Sequence, residues 1–552
     1  MKEVTNYRVI IPAAGKATRM RPLSNSTSKA MVPVNGKPII SYIIDQLFEI
    51  GNPTEIVIVH NELGDIERFV QNAYGHLYEE GRIIFAQQHD PKGPLHAIEV
   101  GAKRLTEYLL SSRVAKIEVE EYPVMVWLGD TICLEPEFNM NKSFLVTAPV
   151  EDYQRWCLVD EDCNFYDKPE LPPRTDKALI GIYYFKNGEV FWKSLDNGMR
   201  KPQIKSEHQI SSLLDSYLKA GQFFNLEVTD EWYDCGELRT FYESKAKLLN
   251  RSARAFNHIS VDTFLGTVTK KADTQEKKDK IEREKNWFKS LPEHASLFCP
   301  RVLDSEYGEL VMSQEPGTPL NEMWLYDNLR SDVWKTIIDK ILAIHNEVFK
   351  KLDLHNTKNS FEWITAMKGM YVTKNLKRLL QMKEDIPNLQ EFDLVYEFVE
   401  NTGQELAESG VHWSYYMHGD SHLGNILFEP LQGSIKLVDP RGQFGHIEGT
   451  EGDMRYDMAK MTQDFYLNYA DILAGNYAMG ADDTVFLYKD NQLANEMCSH
   501  LKRKFTEYGY DWEQIFKLSI VLMITCIPFH SEDRQRQRAF WSIALNRIKA
   551  LS

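Results

Sequence analysis

The chain has 552 residues, of which 64 are Lys or Arg and 80 are Asp or Glu, giving a formal net charge of −16. That length predicts two or three domains, each large enough to bury its own core. The acidic balance excludes nucleic acid or an anionic membrane as the main partner, since phosphate backbones demand a basic face.

From Arg8 to about Leu249, short Val- and Ile-rich runs (Glu55 to His60, Arg82 to Ala86, Val124 to Leu128) alternate with helical patterns such as Ile39 to Ile50. The alternation predicts an α/β domain with a mixed, mostly parallel sheet. Ligands of such sheets bind at the carboxyl ends of the strands.

The first apolar strand, from Tyr7, enters a loop of small residues, Pro12-Ala13-Ala14-Gly15-Lys16-Ala17-Thr18-Arg19. Small residues let backbone N–H groups approach triphosphate oxygens, and Arg neutralises charge that builds on a leaving pyrophosphate. Lys29 supplies another cation. The apolar run Val124 to Leu128 leads through Gly129 to an acid, Asp130, and a second acid, Asp234, stands in Trp232-Tyr233-Asp234-Cys235-Gly236.

These pieces resemble the sugar-phosphate nucleotidylyltransferases (pyrophosphorylases) over roughly the first 250 residues. The resemblance implies a Rossmann-like domain, residues 1–250, that transfers a nucleoside monophosphate to a phosphorylated acceptor. Carried over position by position, Ala14, Gly15 and Thr18 cradle the triphosphate, and Arg19 and Lys29 are catalytic. Gln88 and Gly93, in Gln88-His89-Asp90-Pro91-Lys92-Gly93, belong to the base-reading loop, and Asp130 and Asp234 hold Mg²⁺. Lys168 contacts the acceptor phosphate, in a D-K-P where the family has E-K-P. The family's G-x-G-T-R loop has Ala17 in place of its second Gly.

Leu238 to Asn250 reads as the closing helix, with Asn250-Arg251-Ser252 beginning the link. Val261 to Lys271 reads as a turn and a strand; Lys270 shares a face with Val268 and is preferred to Lys271 as the cation of that strand. Its helix partner would be Glu284, with Glu282 second. Lys270 to Lys289 is rich in both charges and suits an exposed helix, and from about Val333 the pattern is mostly helical.

The most specific segment is His418-Gly419-Asp420-Ser421-His422-Leu423-Gly424-Asn425, followed by the apolar strand that ends at Asp439. An Asp opening a loop can orient and deprotonate a hydroxyl, while an Asn five residues on and an Asp after the next strand can hold Mg²⁺ against ATP phosphates.

This stretch resembles the aminoglycoside phosphotransferase and choline kinase family. The resemblance implies a bilobal, protein-kinase-like α+β domain over 251–552, with a small lobe at about 251–320 and a large helical lobe at about 321–552. Asp420 is then the base, Asn425 and Asp439 are metal ligands, Lys270 with its partner Glu284 pairs with ATP phosphates, and the backbone around Gln314 meets adenine. Gly419 and Gly424 allow the tight loop. Asp457 is the family's supporting aspartate, grouped with Lys168 among residues serving the substrate. His418 braces the loop.

Seven Cys stand singly with no C-x-x-C pair, which predicts reduced thiols and no structural zinc. No signal peptide is expected, and the apolar run Leu518 to Phe529 reads as a buried helix too short to span a bilayer, so a cytoplasmic location is expected. There is no internal repeat or low-complexity segment.

The expectation is a bifunctional enzyme that phosphorylates a sugar, polyol or amino alcohol with ATP and couples the product to a nucleotide for surface polysaccharide synthesis. CTP, UTP or dTTP is favoured as the second nucleotide. Two alternatives stand beside it. One is a choline kinase and phosphocholine cytidylyltransferase, with Trp363, Tyr371, Trp413, Tyr415 and Tyr416 caging the ammonium; the other is a single catalytic half beside a degenerate regulatory one. The acceptor, the nucleotide and the oligomeric state are left open.

Overall fold

The computed structural model describes residues 6–112, 120–134, 136–203, 206–256, 258–303, 305–350, 360–386, 389–410, 412–487 and 491–551. The chain divides into two compact units: Met1–Leu248 with Tyr326–Asn328, and Leu249–Leu325 with Leu329–Ser552.

The first unit is built on a nine-stranded sheet. Asn6–Pro12 lies at its centre, parallel to Asn52–His60 on one side and to Val124–Trp127 on the other, and Ile83–Gln87 extends the parallel set. Val9, Ile10 and Ile11 are fully covered, as expected of a strand buried on both faces. Lys177–Phe185 runs antiparallel to Val124–Trp127 and makes the sheet mixed. Ile39–Ile50 and Pro94–Ser111 are among its helices. The parallel order brings the carboxyl ends Pro12, Gln87 and Trp127 to one edge, so the loops after them converge.

The closing helix runs Leu238–Phe256, past the Asn250 stop read from the sequence. Asn250-Arg251-Ser252 is polar but contains neither Gly nor Pro, so nothing there breaks the helix.

The second unit opens with a three-stranded antiparallel sheet of His258–Asp262, Thr267–Lys271 and Glu309–Ser313. Helix Gln275–Lys289 lies between the last two in sequence. It is not simply exposed: Ile281, Glu284, Lys285, Trp287 and Phe288 are buried. Their 3- and 4-residue spacing makes one covered stripe that the surrounding charges conceal.

The rest is mainly helical, including Ser331–Ala343, Lys374–Asp385, Phe392–Glu408, Arg455–Tyr466, Gln492–Glu507 and Arg534–Leu551. The 19-residue segment Trp512–His530 holds an 18-residue window of mean hydropathy 1.4, so by length and composition it is long enough to cross a membrane, contrary to the shorter apolar run read from the sequence. Within the fold it is a core element, with Leu518, Ile520 and Met523 fully covered.

Candidate functional site

In the first unit, the loop after the central strand walls a pocket of about 530 Å³. Ala14, Gly15, Thr18, Arg19, Lys29, Gln88, Gly93 and Asp130 all line it. Ala17 adopts φ 48°, the left-handed region a glycine enters without strain. The backbone at Ala17 is therefore one that a glycine would take more readily than the alanine present.

Lys29 Nζ lies 2.6 Å from Asp130 Oδ2. Burial alone would push the Asp130 carboxyl up, but Lys29 and the charge of Arg19 hold it below its ordinary value. Asp234 reaches the same neighbourhood because Trp232–Asp234 pairs antiparallel with Thr131–Cys133. Burial and the nearby Asp130 charge push its pKa up. Two carboxylates so placed suit a dication that would relieve their repulsion.

Gln88 is buried and its amide nitrogen lies 2.8 Å from His96 Nδ1. Burial lowers the His96 pKa, which favours the neutral, accepting imidazole, so one Gln88 N–H is used and the amide orientation is fixed. Gly93 has φ 104°, and a Cβ there would come within 2.7 Å of the His208 amide.

Lys168 is not among the residues lining this pocket. It sits at φ 46° just after strand Phe165–Asp167, its amide donating to the Trp156 carbonyl at 2.9 Å and its charge acting on the Cys157 thiol. Sequence reasoning missed Glu207, which lines the pocket. It also missed Arg155, which pairs with Asp234 at 3.2 Å. Neither lies in a motif; only folding brings them in.

In the second unit, Lys270 Nζ lies 2.7 Å from Glu284 Oε1 and also contacts the Asp439 carboxylate. Lys271 points away, 3.8 Å from Glu309, and Glu282 is occupied with Lys285 at 2.8 Å. Asp439 has φ 59°, a strained conformation that Asp tolerates better than most residues. Asn425 donates its side-chain N–H to the Asp420 carbonyl at 3.0 Å, which leaves the amide oxygen as a donor atom for a cation. The Gln314 backbone N–H is spent on the Gly266 carbonyl at 2.8 Å, so that N–H is not available to a ligand.

The loop around Asp420 is braced from beneath. His418 is fully buried, with Nε2 2.9 Å from the Val438 carbonyl and Nδ1 accepting the Asp420 N–H, and burial lowers its pKa to about 4. Asp457 corrects the grouping made from sequence: it is fully buried and accepts the His418 and Gly419 N–H groups, each at 2.8 Å. It positions the loop and cannot touch a substrate. Burial pushes its pKa up to about 7, against the pull of those N–H groups.

Lys460, missed in the sequence, reaches Asp420 Oδ1 at 3.1 Å from helix Arg455–Tyr466. Burial favours the neutral Asp420 acid, yet Lys460 and the nearby His422 outweigh it and hold the group ionised. A helical Lys forty residues downstream carries no motif.

The aromatic cage does not assemble. Trp363 and Trp413 stack on each other 5.1 Å apart in the core and Tyr371 is fully covered, whereas Tyr415 is exposed, so the five do not share one environment. Among the described residues no group of three or more His, Cys, Asp or Glu could hold a metal by itself. Mg²⁺ commonly takes one or two carboxylates and completes its shell with water and substrate phosphates.

A family model described as nucleotidyl transferase matches residues 8–251. A UTP–glucose-1-phosphate uridylyltransferase of Haloferax volcanii is 26% identical over 258 residues, 45% of this chain and 99% of that protein. A glucose-1-phosphate thymidylyltransferase of Neisseria gonorrhoeae is 29% identical over 254 residues, 43% of this chain and 80% of that protein. A solved UDP-glucose pyrophosphorylase complexed with UDP-glucose covers 45% of this chain and all of its own at 20% identity, with a TM-score of 0.36. With its parallel strands feeding the small-residue loop and the acid at Asp130, the segment 8–251 belongs to the nucleotidyl transferase family.

Proposed function

We propose that the chain is a bifunctional transferase: the second unit phosphorylates a small hydroxyl compound with ATP, and the first couples the phosphorylated product to a nucleoside monophosphate with release of pyrophosphate. The relatives of the first unit are named for glucose 1-phosphate, which favours a sugar phosphate as its acceptor. The observation that carries the kinase half is the convergence of Lys270, Glu284 and Asp439, the outer two 169 residues apart, beside the Asp420–Asn425 loop. An ion-paired Lys, a hydroxyl-orienting Asp and an Asn/Asp metal pair are the parts phosphoryl transfer needs.

In the second unit the acceptor oxygen bonds to the γ-phosphorus while the bridging bond to ADP breaks. Asp420 orients the hydroxyl and receives its proton. Because Lys460 holds Asp420 ionised, it is a weak base, so positioning outweighs proton abstraction in its contribution. In the first unit Arg19 and Lys29 bind triphosphate oxygens and neutralise the leaving pyrophosphate. Mg²⁺, held by Asp130 and Asp234 in one unit and by Asn425 and Asp439 in the other, would supply charge neutralisation on the phosphates.

The test is to incubate the whole chain with a panel of hydroxyl compounds and nucleoside triphosphates, with and without ATP. Pyrophosphate release that requires both ATP and one particular acceptor supports the proposal; release from the unphosphorylated acceptor without ATP contradicts it.

A further inference from the structure

Beside the Asp420 loop the second unit gathers cations that pair with no carboxylate among the described residues. Among the described residues no carboxylate pairs with Lys374, Arg378 or Arg441, although the chain holds 80 Asp and Glu. Lys374 Nζ has a thioether, Met370 Sδ, at 3.4 Å. Arg441 donates to the Tyr456 hydroxyl at 2.9 Å. Arg378 donates to the Thr525 carbonyl at 3.3 Å and lies over the Phe529 ring.

Lys374 and Arg441 line one pocket of about 480 Å³ together with Gln443 and His446. That pocket adjoins the proposed base. The Arg441 amide donates to the His418 carbonyl at 2.8 Å, and the Arg441 side chain lies so close to Gly419 that a Cβ there would come within 2.7 Å of it. Burial, together with the charges of Arg441, Arg378 and Lys460, drives the Lys374 pKa down to about 6, with Asp420 opposing. Like charges held together at such a cost are matched by an anion from outside.

We propose that the acceptor of the second unit is an anionic hydroxyl compound, whose carboxylate or phosphate is held by Lys374 and Arg441 while its hydroxyl is presented to Asp420. This rests on the kinase proposal and narrows it. The hydroxyl oxygen bonds to the γ-phosphorus of ATP, ADP leaves with the bridging oxygen, and the hydroxyl proton passes to Asp420. A quaternary ammonium is the wrong charge for this pocket, and Trp363, Trp413 and Tyr371, three of the aromatics that could have caged one, lie in the core.

ADP formation by the whole chain, measured across four sets of acceptors, tests the proposal: uronic and aldonic acids, sugar and polyol monophosphates, the neutral parents of both, and choline with ethanolamine. One anionic set is expected to exceed its neutral parents by about tenfold or more in kcat/KM, and which one it is separates carboxylate from phosphate recognition. Lys374→Met and, separately, Arg441→Gln should raise KM for that acceptor by a similar factor, with KM for ATP nearly unchanged. A neutral polyol or choline matching the best acid overturns the proposal. So does a rise in KM for ATP in place of the acceptor, which would assign the cluster to nucleotide phosphates. ATP binding measured by titration calorimetry separates the two levels. If ATP binds but no anionic compound turns over or competes, the anionic-acceptor proposal falls alone; if ATP does not bind, the kinase proposal falls with it.

Discussion

Lys270 Nζ sits 2.7 Å from Glu284 Oε1, linking strand Thr267–Lys271 to helix Gln275–Lys289, while Lys271 on the same strand is turned toward solvent. The buried acid holds the ammonium where ATP phosphates would meet it. Glu284→Gln should therefore raise KM for ATP in the phosphorylation assay by about tenfold, since it exchanges a charge-assisted bond for a neutral one. Lys271→Ala should change it little. Equal effects from both substitutions in steady-state ATP titrations would remove the special role of Lys270.

Gly93 opens helix Pro94–Ser111 at φ 104°, with the His208 amide and Glu207 Cβ 2.7 and 2.9 Å from where a Cβ would stand. The helix start is clamped there, because Leu95 donates to the His208 carbonyl and His208 donates to the Lys92 carbonyl. Gly93→Ala should displace this wall of the pocket, destabilising the unit by about 1 to 3 kcal/mol and cutting pyrophosphate release more than phosphorylation. Thermal unfolding and both activity assays check this; wild-type pyrophosphate release from the variant would contradict it.

The mixed, mostly parallel sheet of the first unit and the pocket residues Arg19, Lys29, Gln88 and Asp130 could be read from the sequence because each lies in a local pattern: an apolar run, a small-residue loop, a strand-terminal acid. Lys270 could be chosen over Lys271 by strand alternation alone. Arg155, Glu207, Lys374 and Lys460 could not be found, because each meets its site only through tertiary packing. Asp457 was misgrouped because sequence distinguishes poorly between an acid that touches a ligand and one that caps the loop presenting it. The aromatic cage failed for a similar reason: composition supplies Trp363 and Trp413, but burying them gains more than exposing them to a ligand.

Burial, with the charges of Arg441, Arg378 and Lys460 added and Asp420 opposing, brings the folded-state pKa of Lys374 down to about 6, against roughly 10.4 in an unfolded chain. Between those values the unfolded chain binds a proton that the folded chain does not, so this residue's contribution to stability rises with pH through the window and is lost as pH falls toward 6. Lys374→Met should then be more stable than the parent at pH 7, with the difference shrinking toward pH 10. Parallel melting-temperature profiles for the two proteins from pH 6 to 10 would contradict this.

Gln88 spends one N–H on His96 and keeps its carbonyl and second N–H for a ligand. A base edge that left these buried groups unpaired would cost about 1 to 3 kcal/mol. CTP, UTP or dTTP is expected over GTP in pyrophosphate-release kinetics, and a tenfold preference for GTP would refute the assignment.

The central claim is that the product of the second unit is the substrate of the first, and rescue of Asp420→Ala measures it most directly. That substitution should lower phosphorylation by about 10² to 10⁴ and, with it, ATP-dependent formation of the nucleotide conjugate, whereas Asp130→Ala should abolish conjugate formation and leave phosphorylation intact. Supplying the purified phosphorylated compound to Asp420→Ala should restore conjugate formation to the parent rate. A folded Asp420→Ala protein that binds nucleotide yet forms no conjugate from that compound would mean that the two units serve different substrates.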